Sequence, residues 1–517
     1  MKTRIFIRIL GSIMRLMGVI LLVPGLVAAL YGETSGVISF GLTSLLTMLT
    51  GIILERIGTA GTIGNKEGFA VVSIGWLCVA FFGGLPYYFL GTSIIDALFE
   101  SMSAFTTTGA TILTDSNAQG YWIINGALAK ESIASAIELA ASPYIQGIAR
   151  HTGSETYFGL LFWRSFAQWI GGMGIILLFI AILPHLGVAG RQLYKAEVPG
   201  PTKDVLTPRV RDTAKILWTV YLMITAIEII LLVAFKMPLY DAVCNTFSTL
   251  ATGGFSPQAN SIAAYKSPII EWIVLIFMFL SGANFALHYR VIRGDKTALI
   301  RDAEFQSYSV IAIFATAVLV LFGGFEGVLQ DKIRLAAFQV VSIMTTTGFI
   351  TANFDAWSTT AKFSLFVLMF VGACAGSTSG AIKVSRIQLM LKYGYLELFR
   401  ALHPKAVVQV KYNGAAVKEE VVHSILSFIN QYVLIFAVAV LVLAANCYVA
   451  GVQMDMVELT SASATSLGNI GPGLGKLFID FHILPDFSKM VLFFCMWIGR
   501  LEIIPALVLL VPDFWKK

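Results

Sequence analysis

The chain has 517 residues, of which 57% are hydrophobic and 13% charged, with a mean hydropathy of +0.79. That is about half the charged share of an ordinary soluble domain, and it excludes a soluble fold. The net charge of +6 is gathered in loops rather than on a face interleaved with aromatic residues, so the lipid bilayer, not nucleic acid, is the expected partner.

Lys2, Arg4, Arg8 and Arg15 precede an apolar run at 16–31, the pattern of a signal peptide. A second apolar run, 36–54, follows at once and no clear small-residue cleavage site separates them, so an uncleaved first span is expected. Two opening spans, 13–31 and 36–55, are followed by a pattern repeated four times: long apolar span, short half-helix, Gly-rich turn, second long span. The units read 68–90, 96–111 and 157–182; then 216–235, 241–255 and 272–288; then 308–325, 335–350 and 363–390; then 421–449, 455–473 and 490–511. A span needs about 20 residues, so this makes about ten full crossings and four partial, re-entrant ones. The expected fold is an all-α polytopic membrane protein: four pseudo-symmetric M1-P-M2 repeats with re-entrant pore loops plus two extra N-terminal transmembrane helices. The expected division is 1–60, 61–200, 201–300, 301–412 and 413–517.

Basic residues cluster in three loops: Arg191, Lys195, Lys203, Arg209, Arg211 and Lys215; Arg290, Arg293, Lys296 and Arg301; and Lys383, Arg386, Lys392, Arg400, Lys405, Lys411 and Lys418. The positive-inside rule makes these cytoplasmic. The loop 115–155, with Glu131 and Glu138 against Lys130 and Arg150, falls on the opposite side, and an even number of crossings leaves both termini cytoplasmic. Five scattered cysteines, without CxxC spacing, suggest neither disulfide nor metal site.

Aligned on one glycine, the four turns read Phe105-Thr106-Thr107-Thr108-Gly109, Thr249-Leu250-Ala251-Thr252-Gly253, Met344-Thr345-Thr346-Thr347-Gly348 and Leu467-Gly468-Asn469-Ile470-Gly471. Irregular backbone at membrane depth survives only where it is buried in protein or lines water. A dehydrated monovalent cation needs several oxygen dipoles, which backbone carbonyls supply without charge. Glycine permits the positive φ that turns carbonyls inward, and the half-helices aim their partially negative C-terminal ends at the same place. The expected ion-binding residues are therefore Thr107, Thr108 and Gly109; Ala251, Thr252 and Gly253; Thr346, Thr347 and Gly348; and Asn469, Ile470 and Gly471. In this alignment Ile470 faces Thr108, Thr252 and Thr347, giving a ring with three hydroxyls. An ordinary Gly-capped helix stop explains one such turn, but four in matching positions weigh against it.

The second span of the third unit is interrupted at 372–381 by small residues that hold a helix poorly. A loop there, with Gly372, Gly376, Ser377, Thr378 and Gly380, would cross the pathway just inside the turns as a gate; close helix packing is the competing account. Arg500, mid-span beside Glu502, is either part of a charge barrier or a buried ion-pair member. Lys383 is similar, or marks a cytoplasmic helix end. Arg164 and Glu228 read as structural pair members. The histidines His151, His185, His288, His403, His423 and His482 have no HExxH spacing. Nor is there a Ser-His or paired-Asp constellation at membrane depth, so an intramembrane enzyme has little support.

These residues resemble those of the TrkH-type potassium uptake proteins of the Trk/Ktr/HKT superfamily. The resemblance extends to Phe162-Trp163-Arg164-Ser165, Gln168-Trp169-Ile170-Gly171-Gly172, Gly282-Ala283-Asn284-Phe285-Ala286-Leu287-His288-Tyr289, Ala375-Gly376-Ser377-Thr378-Ser379-Gly380-Ala381-Ile382-Lys383, Gly471-Pro472-Gly473 and Gly499-Arg500-Leu501-Glu502. It implies K+ as the transported ion, a selectivity filter made by the four turns, no organic cofactor in this chain, a bacterial inner-membrane location and a homodimer. It also implies regulation by a cytoplasmic nucleotide-binding subunit of the TrkA kind; the chain has no GxxxxGK[ST] motif of its own. Gly372-Ala373-Cys374-Ala375 and Ser379-Gly380-Ala381 carry fewer glycines than the family's usual loop. The potassium-binding subunit of a P-type pump, which also uses four pore loops, is the nearest alternative.

Overall fold

The computed structural model describes residues 2–61, 64–124, 156–182, 210–406 and 408–516. Most of the expected acidic loop, with Lys130, Glu131, Glu138 and Arg150, lies outside the described residues, as do Arg191, Lys195, Lys203, Arg209, His151 and His185. The protein is a mostly helical, multi-pass membrane protein. Six helices among the described residues are long and apolar enough to cross a bilayer: Thr3–Leu30, with a one-residue interruption at Leu21, then Thr34–Ile57, Lys66–Phe89, Ala214–Ala234, Ala303–Phe322 and Glu419–Val449. The first two pack through glycine. A Cβ on Gly11 would fall 2.7 Å from the Gly51 carbonyl oxygen and one on Gly18 2.3 Å from Met48 Cγ, the close backbone approach that small residues give in lipid.

Each of the last four spanning helices is followed by a short helix: Ile94–Phe105, Leu239–Ala251, Leu329–Met344 and Met456–Gly468. Polar side chains set where some of them begin. Ser93 Oγ accepts from Asp96 N at 3.1 Å, and Asp455 with Glu458 forms a capping box, satisfying N–H groups that the first turn leaves open.

The helices that follow are not the uninterrupted spans expected. Pro268–Ser281 and Phe285–Ile292 meet at 101°; Thr359–Val371 stops at Gly372 and resumes as Val384–Leu402; Asp486–Arg500 is followed by the short Ile504–Val508; and Phe158–Ile182 contains Gly174 at φ 76° and ψ 139°. Only the interruption at 372–381, in the third unit, was anticipated. All four breaks lie near small or positive-φ residues: Gly171, Gly172 and Gly174; Gly282; Gly372; Gly499 with Glu502 and Ile503. A second departure is the β-hairpin Lys411–Tyr412 with Ala415–Ala416, turned by Asn413 and Gly414, both at positive φ as a tight two-residue turn requires.

The fourth unit packs back on the first. Lys489 Nζ lies 2.6 Å from Asp96 Oδ1 and both residues are buried, Trp497 Nε1 donates to Ser73 O at 3.0 Å, and one continuous core joins the opening helices to Phe481 and Met496.

Candidate functional site

The four short helices end in turns of one geometry. Thr107, Thr252, Thr346 and Asn469 take the left-handed conformation, with φ between 54° and 57°, and two residues later Gly109, Gly254, Gly348 and Gly471 also have positive φ. The backbone bonds match as well: Thr108 N to Ser103 O, Gly253 N to Ser248 O and Thr347 N to Ser342 O are each 2.8 Å, and Ile470 N to Thr465 O is 2.9 Å. The second turn therefore sits one residue later than an alignment on its first glycine gives. Gly254, not Gly253, is the counterpart of Gly109; Gly253 matches Thr108, Thr347 and Ile470; and Ala251 is the last residue of its helix. That level carries two threonines, a glycine and an isoleucine, not three hydroxyls. Hydroxyls four residues before each left-handed position, at Ser103, Ser248, Ser342 and Thr465, give the correct register from sequence. Left-handed backbone costs an L residue about 1–2 kcal/mol, and four such residues meet here.

The turns form a closed circuit. A Cβ built on Gly109 would fall 2.2 Å from the Gly253 carbonyl oxygen, on Gly254 2.0 Å from that of Thr347, on Gly348 2.0 Å from that of Ile470, and on Gly471 2.8 Å from that of Thr108. Each glycine thus seats the carbonyl of a neighbouring turn in chain order, and the fourth returns to the first. Further bonds fix the circuit: Gln168 Nε2 donates to Gly253 O at 2.6 Å while its Oε1 accepts from Phe255 N at 3.1 Å, and Asn469 Nδ2 donates to Thr108 Oγ1 at 3.0 Å. The same four glycines line one cavity with Thr111, Arg164 and Pro472. Such a ring offers main-chain oxygens without formal charge, at the negative ends of four helices, which suits a dehydrated cation and not an anion.

The segment 372–383 lies against the residues that precede the glycines. Gly380 N donates to Thr346 Oγ1 at 2.8 Å, and Thr378 Oγ1 donates to Leu250 O at 3.0 Å. Ser377 Oγ bonds back to Cys374 O at 2.6 Å, and Gly372 and Gly376 take φ of 67° and 76°. A Cβ on Gly376 would meet the Asn284 side chain at 2.9 Å and one on Gly380 the Gly468 carbonyl oxygen at 2.3 Å, so these positions are closely packed. Arg500 Nη1 donates to Thr378 O at 2.8 Å, and its Nη2 to Gly171 O at 2.7 Å and Gly172 O at 3.1 Å. Arg500 therefore ties the segment to the broken helix of the first unit, while the neighbouring Glu502 pairs with Arg386. Lys383, buried at the segment's end, donates to Ser379 O and to Ser379 Oγ.

Arg164 pairs with Glu100 at 2.8 Å, both fully buried, and stacks 4.0 Å over Phe255. Glu228 is buried elsewhere, beside Thr249, and has no ion-pair partner among the described residues. His288 Nε2 bonds Leu280 O at 2.8 Å. All five cysteines are free. Sequence reasoning missed Gln168, although its motif was in view, and Glu304, whose partners are distant in sequence.

A family model described as a cation transport protein, TrkH, matches residues 145–325 and 326–517. The chain belongs to the TrkH family. It is 36% identical over 527 residues to the Trk system potassium uptake protein TrkH of Salmonella typhimurium, covering 100% of both chains, and 30% identical over 523 residues to TrkG of Escherichia coli, covering 99% of each. The crystal structure of the potassium transporter TrkH from Vibrio parahaemolyticus matches with a TM-score of 0.82 at 34% identity over 100% of both chains. TrkH-family membership makes this chain a transporter, not an enzyme, and sets aside the pump-subunit alternative.

Proposed function

We propose that this chain takes up potassium across the bacterial inner membrane through the ring formed by Thr108, Gly253, Thr347 and Ile470 with Gly109, Gly254, Gly348 and Gly471. The observation that carries this is the closed circuit of glycines seated on neighbouring carbonyls; the potassium named in the relatives' descriptions supports the choice of ion. Segment 372–383 is the gate beneath the ring and Arg500 its fastening. In this reading the protein works as a homodimer with both termini cytoplasmic, under a nucleotide-binding subunit of the TrkA kind. The basic residues between 383 and 418 support a cytoplasmic face where such a partner docks.

The test is rubidium flux into liposomes, normalised to folded protein. Gly348→Arg abolishes flux, because a side chain there enters the Ile470 carbonyl's place, and Gly348→Ser admits sodium more readily. Wild-type flux and selectivity in both variants would remove the ring from the ion's path.

A further inference from the structure

One carboxylate holds both ends of segment 372–383. Glu304, in the first turn of helix Ala303–Phe322, is 5% exposed. Its Oε1 accepts from Ala375 N at 2.8 Å, near the start of the segment, and from Ser385 N at 2.9 Å, just past its end. Ser385 lies in the first turn of helix Val384–Leu402, whose first N–H groups have no partner within the helix and whose positive end favours a carboxylate. Main-chain bonds from Val384 N to Ala373 O at 3.0 Å and from Ile382 N to Phe370 O at 3.2 Å close the same base. The far part of the segment is held separately, by Thr346, Leu250 and Arg500.

Glu304 is also linked to the surface. Asn413, exposed at the turn of the β-hairpin, accepts from Ala303 N through Oδ1 at 3.0 Å and donates through Nδ2 to Asp302 Oδ2 at 3.0 Å. Asp302 in turn accepts from Phe305 N at 2.9 Å and starts the helix that carries Glu304. Hydrogen bonds from Asn413 to Asp302 and Ala303, the main chain from there to Glu304, and the two bonds to its carboxylate thus link the hairpin turn to the base of the segment under the ring.

We propose that Glu304 is a positioning residue that latches segment 372–383 across the pathway, and that the hairpin Lys411–Ala416 steadies the latch through Asn413. The proposal rests on the reading of this segment as the gate. If Glu304 merely capped helix Val384–Leu402, its loss would lower stability without exposing the segment. Cys374 supplies the readout, since it lies on the segment and is 1% exposed.

The experiment uses the full chain in liposomes with Cys78, Cys244, Cys447 and Cys495 replaced by Ala, and follows modification of Cys374 by a small methanethiosulfonate reagent alongside rubidium flux. Loss of one hydrogen bond to a charged group shifts an opening equilibrium about tenfold or more. Glu304→Ala should therefore raise both the Cys374 modification rate and the flux about tenfold. Glu304→Asp, too short to reach both N–H groups, should raise them as well and carries the test if the Ala variant fails to insert. Asn413→Ala should give a smaller rise in both. Unchanged Cys374 modification in folded Glu304→Ala or Glu304→Asp protein overturns the latch. Faster modification with unchanged flux keeps the latch and overturns the gate on which it rests.

Discussion

Adjacent glycines in the second turn separate the ring's register from its alternative. At Gly254 the backbone has φ +77°, so alanine there costs about 1–2 kcal/mol in left-handed strain alone. Its Cβ would also stand 2.0 Å from the Thr347 carbonyl oxygen, and relief to an ordinary contact requires one turn to retreat by more than about 1 Å. The obstructing atom is main chain in the neighbouring turn, so no side-chain rotation relieves it. At Gly253 φ is not positive, and the added Cβ meets Gln168 Cδ at 2.4 Å. Gln168 can swing away at the loss of two hydrogen bonds, each worth about 0.5–1.5 kcal/mol. Rubidium uptake per folded protein should therefore be abolished in Gly254→Ala and only reduced in Gly253→Ala. Wild-type uptake by Gly254→Ala together with a dead Gly253→Ala would refute the register, and with it the closed circuit.

Arg500→Ala releases the Thr378 carbonyl and should raise rubidium flux per folded protein; a fall instead would make the segment a packing element. Glu100→Ala leaves Arg164 buried without its carboxylate and should cost about 3–5 kcal/mol, read as a large drop in melting temperature in detergent. Glu33, in the loop between the two opening helices, accepts from Phe158 N and Gly159 N, yet burial pushes its carboxyl up to about 7. The folded protein then binds the extra proton between the ordinary 4.5 and 7, so the Glu33 contribution to stability is greatest below pH 4.5 and is lost as pH rises through 7. Glu33→Gln should flatten that fall in melting temperature, and an unaltered pH profile would exclude Glu33 as its source.

Much of this was legible in the chain. Four Thr- and Gly-rich turns after short apolar helices declare themselves because left-handed backbone and close carbonyl approach leave few residue types to choose from. The register of the second turn was legible only through Ser248, four residues before the left-handed Thr252, because Gly253-Gly254 offers two glycines; the bond from Gly253 N to Ser248 O makes the same choice in the structure. The breaks after Gly171-Gly172 and at Gly282-Ala283-Asn284 carry small residues that read equally as packing positions. Ile503 at φ 67° is a tertiary override that no propensity signals. Asn413-Gly414 is a hairpin signal that the membrane-spanning pattern around it obscured. The Arg164–Glu100 pair joins residues far apart in sequence, and its partner choice follows from packing alone.

A pore assembled from four identical subunits changes fourfold with every coding mutation, so each trial alters all its oxygens at once. Here the corresponding positions are Thr108, Gly253, Thr347 and Ile470 of one polypeptide, and they already carry three residue types. A substitution at one of these four positions alters one residue of the level and leaves the other three as they are. Under the proposed function, selection can then adjust ion preference at one of these positions at a time, and the four turns are free to take on separate duties, as the link of Asn469 to Thr108 and the bracing of Gly253 by Gln168 illustrate.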